Sequence, residues 1–478
     1  MKSFLFLYTP SYLRILIYMI QSSEYQFVEY LKWYWRTKDF RQVMRRRTLD
    51  ETRAAKLLYY AISVGFYCQI FASVALIIYA AFNDNFSFLG IGLGVIFFTP
   101  VIWAFLVAVP LLFGRWILVS PGNKKLISEA EKIFKNHPAT KIAILGSYGK
   151  TSMKELLGQV LSSGLKVAKT PGNKNVAISH AHFAKKLKGD EDILIIEYGE
   201  GQPGDIANFS KNTHPDIAII TGIAPAHLDK YKTIETAAKD IMDIATYIQP
   251  SDIFVNQDSE LVKKFAPKGV NYYSSSGVGT AHLKNHKIEI EGSEFEYIDG
   301  KTMLKIKTGL IGKHNIGAAG LTIHLGLKFG IEDKLILNSL KAARAYDHRM
   351  QVRNMHGAWI IDDTYNGNIE GMRAGLELLN HLSAERKIYI TPGLVDQGEE
   401  NESIHTELGR LIASAHPDIV VLMNNSVTKT ITNSLSDHGY NGEVKIEANP
   451  LRLYSNLDHF VARGDIVLMQ NDWTDNYN

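Results

Sequence analysis

The chain has 478 residues, enough for about three domains with buried cores, and its 52 basic and 49 acidic side chains leave a formal net charge of +3. That near balance argues against a nucleic-acid binder with a basic surface throughout. A single cysteine, Cys68, excludes a disulfide framework and any cysteine-built zinc site, and fits a reducing compartment.

The first 120 residues read as a membrane-anchoring region. Phe4 to Ile20 is apolar but interrupted by Pro10 and Arg14, which suits an interfacial or short anchoring helix better than the alternative of a third span. No small-residue cleavage site marks it as a cleaved signal. Bases from Lys32 to Lys56, interleaved with Trp33, Tyr34 and Trp35, suit anionic headgroups. Leu57–Phe82 and Phe86–Phe113 then carry no charge, and only Asp84 interrupts them in the turn between. Each exceeds the roughly 20 apolar residues that cross a bilayer, so a transmembrane helical hairpin is expected, against the alternative of buried helices in a soluble protein. Pro100 and Pro110 would kink its second helix. Bases flank both ends and none lies in the turn, which puts the remainder of the chain on the cytoplasmic side of the cell membrane.

Residues 121–345 read as α/β. The runs KIAILGS, DILIIEYG, DIAIITGI and DIFVNQD alternate with helical stretches, predicting a mainly parallel sheet covered on both faces in a P-loop ATPase-like domain. Tyr272 to Lys307 reads instead as antiparallel hairpins turning at Glu291-Gly292 and Asp299-Gly300, and a helix over Gly312 to Gly330 closes the domain. In residues 346–478, WIIDDTYN, KIYITPGL, DIVVLM and DIVLMQND are four strand candidates of a smaller, Rossmann-like α/β domain.

Lys141 to Glu155, KIAILGSYGKTSMKE, carries the clearest chemistry. An apolar strand turns through Gly146, Ser147 and Gly149 into Lys150, Thr151, Ser152 and a helix. Backbone N–H groups there face an anion, Lys150 reaches terminal phosphates, and the Thr151 hydroxyl suits Mg²⁺. Ile144 stands where the general Walker A pattern has glycine, so an ordinary strand-to-helix turn is the competing reading. Lys150 is expected to point away from the core, so that its removal spares the fold. Glu197, Gly222 with His227, and Asp362 with Asp363 also fall at or just past strand carboxyl ends, where open α/β sheets bind ligands. Glu197, ending an apolar strand, needs a cation or a salt-bridge partner. His227 taken alone reads equally as a satisfied loop histidine.

Seven motifs in order, GSYGKTS, TPGNKN, EYGEGQPGDI, TGIAPAHLD, GKHN, HRMQ and DDTYNGN, resemble the ATP-dependent Mur ligases of peptidoglycan synthesis over Lys141 to Tyr477. TPGNKN and DDTYNGN most resemble members that add D-alanyl-D-alanine to a UDP-muramoyl tripeptide. TPGLVDQGE and the terminal GDIVLMQNDWTDNY resemble a membrane-tethered branch of them. The resemblance implies ATP and Mg²⁺ as cofactors, a muramoyl peptide and D-alanyl-D-alanine as partners, and amide formation through an acyl phosphate. It places Lys150 at the β/γ-phosphates, Thr151 and Glu197 at a first Mg²⁺, His227 at a second and Asn315 near adenine. Arg349 and Asp363 would reach the nucleotide on domain closure, and Asn173, Asn175, Tyr365 and Asn366 would face substrate.

The family's carbamylated, Mg²⁺-binding lysine has Lys239 as its nearest counterpart if the loop after His227 is shortened by two residues. A gapless match puts Ile241 there, leaving Lys239 a solvated helical lysine. Ala318 and Ile369 replace the family's usual asparagine and proline. The hairpin stands where soluble members carry a UDP-gripping domain, which opens a lipid-linked muropeptide as substrate. A Mur-like ligase with another acceptor and a non-catalytic nucleotide-binding scaffold are the alternatives.

Overall fold

The computed structural model describes residues 2–23, 27–43, 49–109, 120–225, 228–365, 367–394 and 397–472. They fall into two compact units, one spanning Met1–Lys124 and the other Lys125–Trp473.

In the first unit the Thr52 hydroxyl caps the helix Arg53–Phe82 by accepting from Ala55 N at 3.1 Å, and Asn85 caps Phe86–Leu106 through Phe88 N at 3.2 Å. The stretches Ala55–Phe82 and Phe86–Leu106 are long and apolar enough to cross a membrane, with mean hydropathy 2.0 and 2.2. The second was expected to reach Phe113; the described helix ends at Leu106, and residues 110–119 lie outside the described set. Pro100 has no N–H, which frees the carbonyl of Ile96 four residues earlier, and the Tyr8 hydroxyl donates to that carbonyl at 2.9 Å. Two helices, Lys2–Phe6 and Pro10–Ser22, replace the single helix expected at Phe4 to Ile20, because Pro10 starts a new one. The second is not an interfacial helix with its apolar face left for lipid: Tyr12, Leu13 and Ile15 to Ile20 are buried in a core shared with Tyr30, Phe66 and Ala104.

The second unit is built on two sheets, of ten and six strands among the described residues. Thr140–Leu145 lies between Ile193–Glu197 and Ile217–Ile220, all parallel, with Val167–Lys169 at one edge and Ile253–Asn256 and then Asn271–Ser274 extending the other side. Their interiors are apolar on both faces, as a sheet covered by helices on both sides requires. The expected hairpins are present, with Gly300 at φ +57° in the tight turn joining Gly292–Asp299 to Thr302–Thr308. They are not separate: through Gly277–Val278 and Ala281–Glu289 they continue the parallel strands as one mixed sheet.

The six-stranded sheet contains the four expected strands, Ala358–Asp363, Arg386–Thr391, Ile419–Met423 and Asp465–Gln470, all parallel. Two more close its edges, Gln351–Met355 antiparallel and Glu443–Glu447 parallel. The chain crosses from Ile193–Glu197 on one side of Thr140–Leu145 to Ile217–Ile220 on the other, and such a switch opens a crevice at the strand carboxyl ends.

Candidate nucleotide and metal site

The strand Thr140–Leu145 delivers the chain to Gly146, whose φ is +135° and where a Cβ would lie 2.6 Å from Thr221 Oγ1 and 2.7 Å from Gly222 O. Only glycine fits there. Ser147 N donates to Gly222 O at 2.7 Å, and Thr221 Oγ1 donates to Tyr148 O, so the loop is pinned to the neighbouring strand's end. Gly149, at φ +76°, then starts the helix Lys150–Leu161 without a side-chain cap. The first N–H groups of that helix, at Lys150, Thr151 and Ser152, are left for an anion.

Lys150 does not extend freely. Its ammonium donates to Gly146 O and to Glu200 Oε2, the latter at 2.6 Å, with the two side chains only 12% and 5% exposed. This corrects the expectation that the lysine can be removed without touching the fold, because its loss strands a buried carboxylate.

Glu197, at the carboxyl end of its strand, is 1% exposed. The Thr151 hydroxyl lies 3.1 and 3.2 Å from its two oxygens, Lys154 Nζ 3.0 Å from Oε2, and Asn175 Nδ2 3.3 Å from Oε1. Its backbone is held as firmly: Glu197 N donates to Thr170 Oγ1 at 3.1 Å, and His180 Nε2 donates to Glu197 O at 2.8 Å. Burial pushes the His180 ring down to about 4, so it is a neutral donor. A hydroxyl and a carboxylate oxygen 3.1 Å apart fit adjacent positions of an octahedral cation with bonds of about 2.1 Å. Among the described residues no group of three or more histidine, cysteine or acidic side chains forms a full cage. Mg²⁺ suits such a partial set, since it usually keeps waters and phosphate oxygens as its other ligands.

A cavity of the second unit opens beside this loop, lined by Gly149, Ser152 and Asn315 from the ten-stranded side and by Arg349, Asp363 and Tyr365 from the six-stranded side. Asn315 Nδ2 donates to Ile311 O at 2.7 Å. The Arg349 guanidinium lies 4.4 Å from the Tyr365 ring centroid. Burial pushes Asp363 up to about 6, opposed by Gln470 Nε2 donating to Oδ2 at 2.9 Å, by the Arg349 charge and by Met350 N at 3.2 Å from Oδ1. Asn173 Nδ2 donates to the Tyr365 hydroxyl, so two of the expected substrate-facing residues meet across the two sheets.

Lys150, Thr151, Glu197 and Asn175 are thus brought together, and Asn315, Arg349, Asp363 and Tyr365 share the adjoining cavity. His227 and Asn366 lie outside the described residues. Lys239 is not brought to the group. It is exposed, while Ile241 is buried in the core below the sheet, so neither meets Glu197. Sequence reasoning passed over Glu200 and Lys154. Their signal was present, a second acid in EYGEG and a second lysine in GKTSMKE, without anything to say that the two would be buried.

A glycine-turned strand-to-helix loop, an acid at the next strand's end and an arginine offered from a second α/β domain define a nucleotide-dependent enzyme of the P-loop type. Comparison with known proteins gives the family. The Mur ligase middle domain matches residues 144–323, and the Mur ligase glutamate ligase domain matches residues 348–470. The chain belongs to the Mur ligase family. It is 27% identical over 320 residues to the UDP-N-acetylmuramoyl-tripeptide--D-alanyl-D-alanine ligase of Borreliella burgdorferi, covering 64% of each chain. To the enzyme of the same name from Escherichia coli it is 26% identical, over 59% of this chain and 64% of that one. The chain therefore spans just under two thirds of these relatives' length. Among solved structures, the MurF ligase of Thermotoga maritima in complex with ADP aligns with a TM-score of 0.64 at 23% identity, covering 73% of this chain and 80% of that one. MurF from Acinetobacter baumannii also gives 0.64, at 20% identity over 73% and 77%.

Proposed function

We propose that the protein is a membrane-anchored, ATP-dependent amide ligase of peptidoglycan precursor synthesis that joins D-alanyl-D-alanine to the terminal carboxyl of a muramoyl tripeptide. The observation that carries this reading is the arrangement of the phosphate loop and Glu197 beside a cavity whose far wall presents Arg349 and Asp363. The relatives' names supply the acceptor.

Bound ATP and Mg²⁺ would supply the phosphoryl group that activates the carboxyl and the cation that neutralises its charge. The chain's part is positioning and electrostatics. The N–H groups of Lys150 to Ser152 and the Lys150 ammonium hold the phosphates; Thr151 and Glu197 offer hard oxygens to the cation. Asn315 lines the adenine end, and Arg349, steadied by Asp363 and Tyr365, brings positive charge from the C-terminal domain. Asn173, Asn175 and Tyr365 lie on the substrate side.

The apolar helices anchor the enzyme. Phe71, Phe82 and Phe86 are 72%, 85% and 83% exposed, a surface that suits lipid rather than water. The basic flanks put the second unit on the cytoplasmic side.

The test is ligation by purified full-length protein given ATP, Mg²⁺, D-alanyl-D-alanine and either a UDP-linked or a lipid-linked muramoyl tripeptide. ADP release with a product heavier by the dipeptide, less water, is expected with one of them, and no product with either refutes the assignment. Recovery of the full chain in the salt-washed soluble fraction without detergent would refute the anchor.

A further inference from the structure

The phosphate loop does not account for Lys154. It lies one turn beyond Lys150 on the same helix, and none of its side chain reaches solvent. An ammonium buried so completely requires oxygen partners. Glu197 Oε2 lies at 3.0 Å, Glu155 Oε1 at 3.6 Å, and the third partner is the carbonyl of Gly172. Gly172 belongs to the segment Thr170 to Asn175, which follows the edge strand Val167–Lys169. That segment is fastened to the Glu197 strand end at both of its own ends, by Thr170 Oγ1 accepting from Glu197 N and by Asn175 O accepting from Gly199 N at 2.9 Å. Between the two fastenings Lys154 reaches up to hold the middle at Gly172, and next to it the exposed Asn173 donates to the Tyr365 hydroxyl beneath Arg349.

We propose that Lys154 is a positioning residue that couples the phosphate and cation site at Thr151 and Glu197 to the docking of the C-terminal domain through Gly172, Asn173 and Tyr365. The inference rests on the nucleotide-site reading above. Lys154 and a cation draw on the same Glu197 carboxylate, so filling the site changes how that carboxylate is shared. The ammonium then carries the change to Gly172, and Asn173 delivers it to the ring that supports Arg349. Linkage makes the effect reciprocal: docking of the C-terminal domain strengthens nucleotide binding by the same factor.

The experiment uses the full-length protein in detergent and the non-hydrolysable analogue AMP-PNP with Mg²⁺. Calorimetry reads nucleotide affinity. Hydrogen exchange reads the peptides containing residues 170–175 and Tyr365. In the wild type, nucleotide is expected to slow exchange in both peptides about fivefold or more. In Lys154→Met, which keeps the length of the side chain without its charge, protection of the Tyr365 peptide is lost, and affinity should fall by no more than the wild-type protection factor, because the uncoupled Glu197 is freed for the cation. A folded Lys154→Met that protects this peptide as the wild type does overturns the proposal. Should Lys154→Met not fold, Asn173→Ala cuts the far end of the relay at an exposed position. It should leave nucleotide protecting residues 170–175 but not the Tyr365 peptide, and undiminished protection of both overturns the coupling. A wild type that binds nucleotide without protecting the Tyr365 peptide refutes the relay alone, whereas one that binds no nucleotide refutes the site itself and the relay with it.

Discussion

Replacing Lys150 by alanine should damage both chemistry and fold, and the two losses can be separated. Its ammonium sits 2.6 Å from a Glu200 carboxylate that is 5% exposed, and Lys150 itself is 12% exposed. Breaking a fully buried ion pair by removing one partner costs about 3–5 kcal/mol, because the remaining charge is uncompensated. Lys150 keeps 12% of its side-chain surface exposed, so some water reaches the pair and we expect somewhat less, about 2–3 kcal/mol. For a domain of this size each kcal/mol moves the midpoint by about 2–4 °C, giving a fall of about 4–12 °C in a thermal melt of the purified protein. Removing Glu200's charge as well, in Lys150→Ala/Glu200→Gln, should return most of that stability, since no buried ion then lacks its partner. Ligation should remain depressed by orders of magnitude in both variants, because neither presents a cation to the phosphates. An unchanged midpoint in Lys150→Ala would show that the ion pair is not formed. Ligation restored by Glu200→Gln would mean that Lys150 serves Glu200 rather than phosphate, and near-normal ligation in the single variant would sink the phosphate-loop assignment altogether.

Asp363 is pushed up to about 6, so the folded chain holds its proton more tightly than the unfolded one. Its contribution to stability is then greatest below the ordinary value of 3.8, falls as pH rises towards 6 and is level above; Asp363→Asn should flatten the wild-type slope across this window in denaturation measured from pH 4 to 7, and an unchanged slope would exclude Asp363 as its source. In the helical hairpin, Tyr8→Phe should destabilise by about 0.5–1.5 kcal/mol by stranding the Ile96 carbonyl, and much less in a Pro100→Ala background, where residue 100 regains the N–H that bonds it; equal effects in both backgrounds, read by unfolding in detergent, would contradict that account. Lys239→Ala should ligate at close to the wild-type rate, because the side chain is exposed and makes no ion pair among the described residues. A large loss, partly restored by small carboxylic acids, would instead favour a carbamate there.

The glycine turn from strand to helix was legible because its signal is local. Gly146, Gly149, Lys150 and Thr151 stand within one turn of chain, and the strand before and the helix after follow from a β-branched run giving way to helical spacing. The two edge strands of the second sheet were not legible. Glu443–Glu447, EVKIE, is half exposed and charged, as an edge that resists further pairing should be, and lacks the buried run that betrays a central strand. The pairing of Lys150 with Glu200 and of Lys154 with Glu197 was hidden for a different reason. Each joins the helix after the first strand to the end of another, and only strand order decides that these ends are neighbours.

The helix Ile234–Met242 marks where spacing stops deciding. Counting from His227 leaves Lys239 and Ile241 as rivals for one position, yet successive helical residues point about 100° apart, so the residue between them is aimed differently from both. That residue, Asp240, is 4% exposed. It accepts from Gly204 N at 2.5 Å and from the Tyr231 hydroxyl at 2.9 Å, and burial raises its pKa. The same hydroxyl lies 3.2 Å from Gln202 O. Asp240 and Tyr231 therefore clamp the segment from Gln202 to Gly204, which leads directly from Glu200 into the helix Asp205–Thr213. Glu200 in turn holds Lys150. The helix that the family resemblance implicated in metal binding acts in this structure one step back, fixing the loop whose acid holds Lys150.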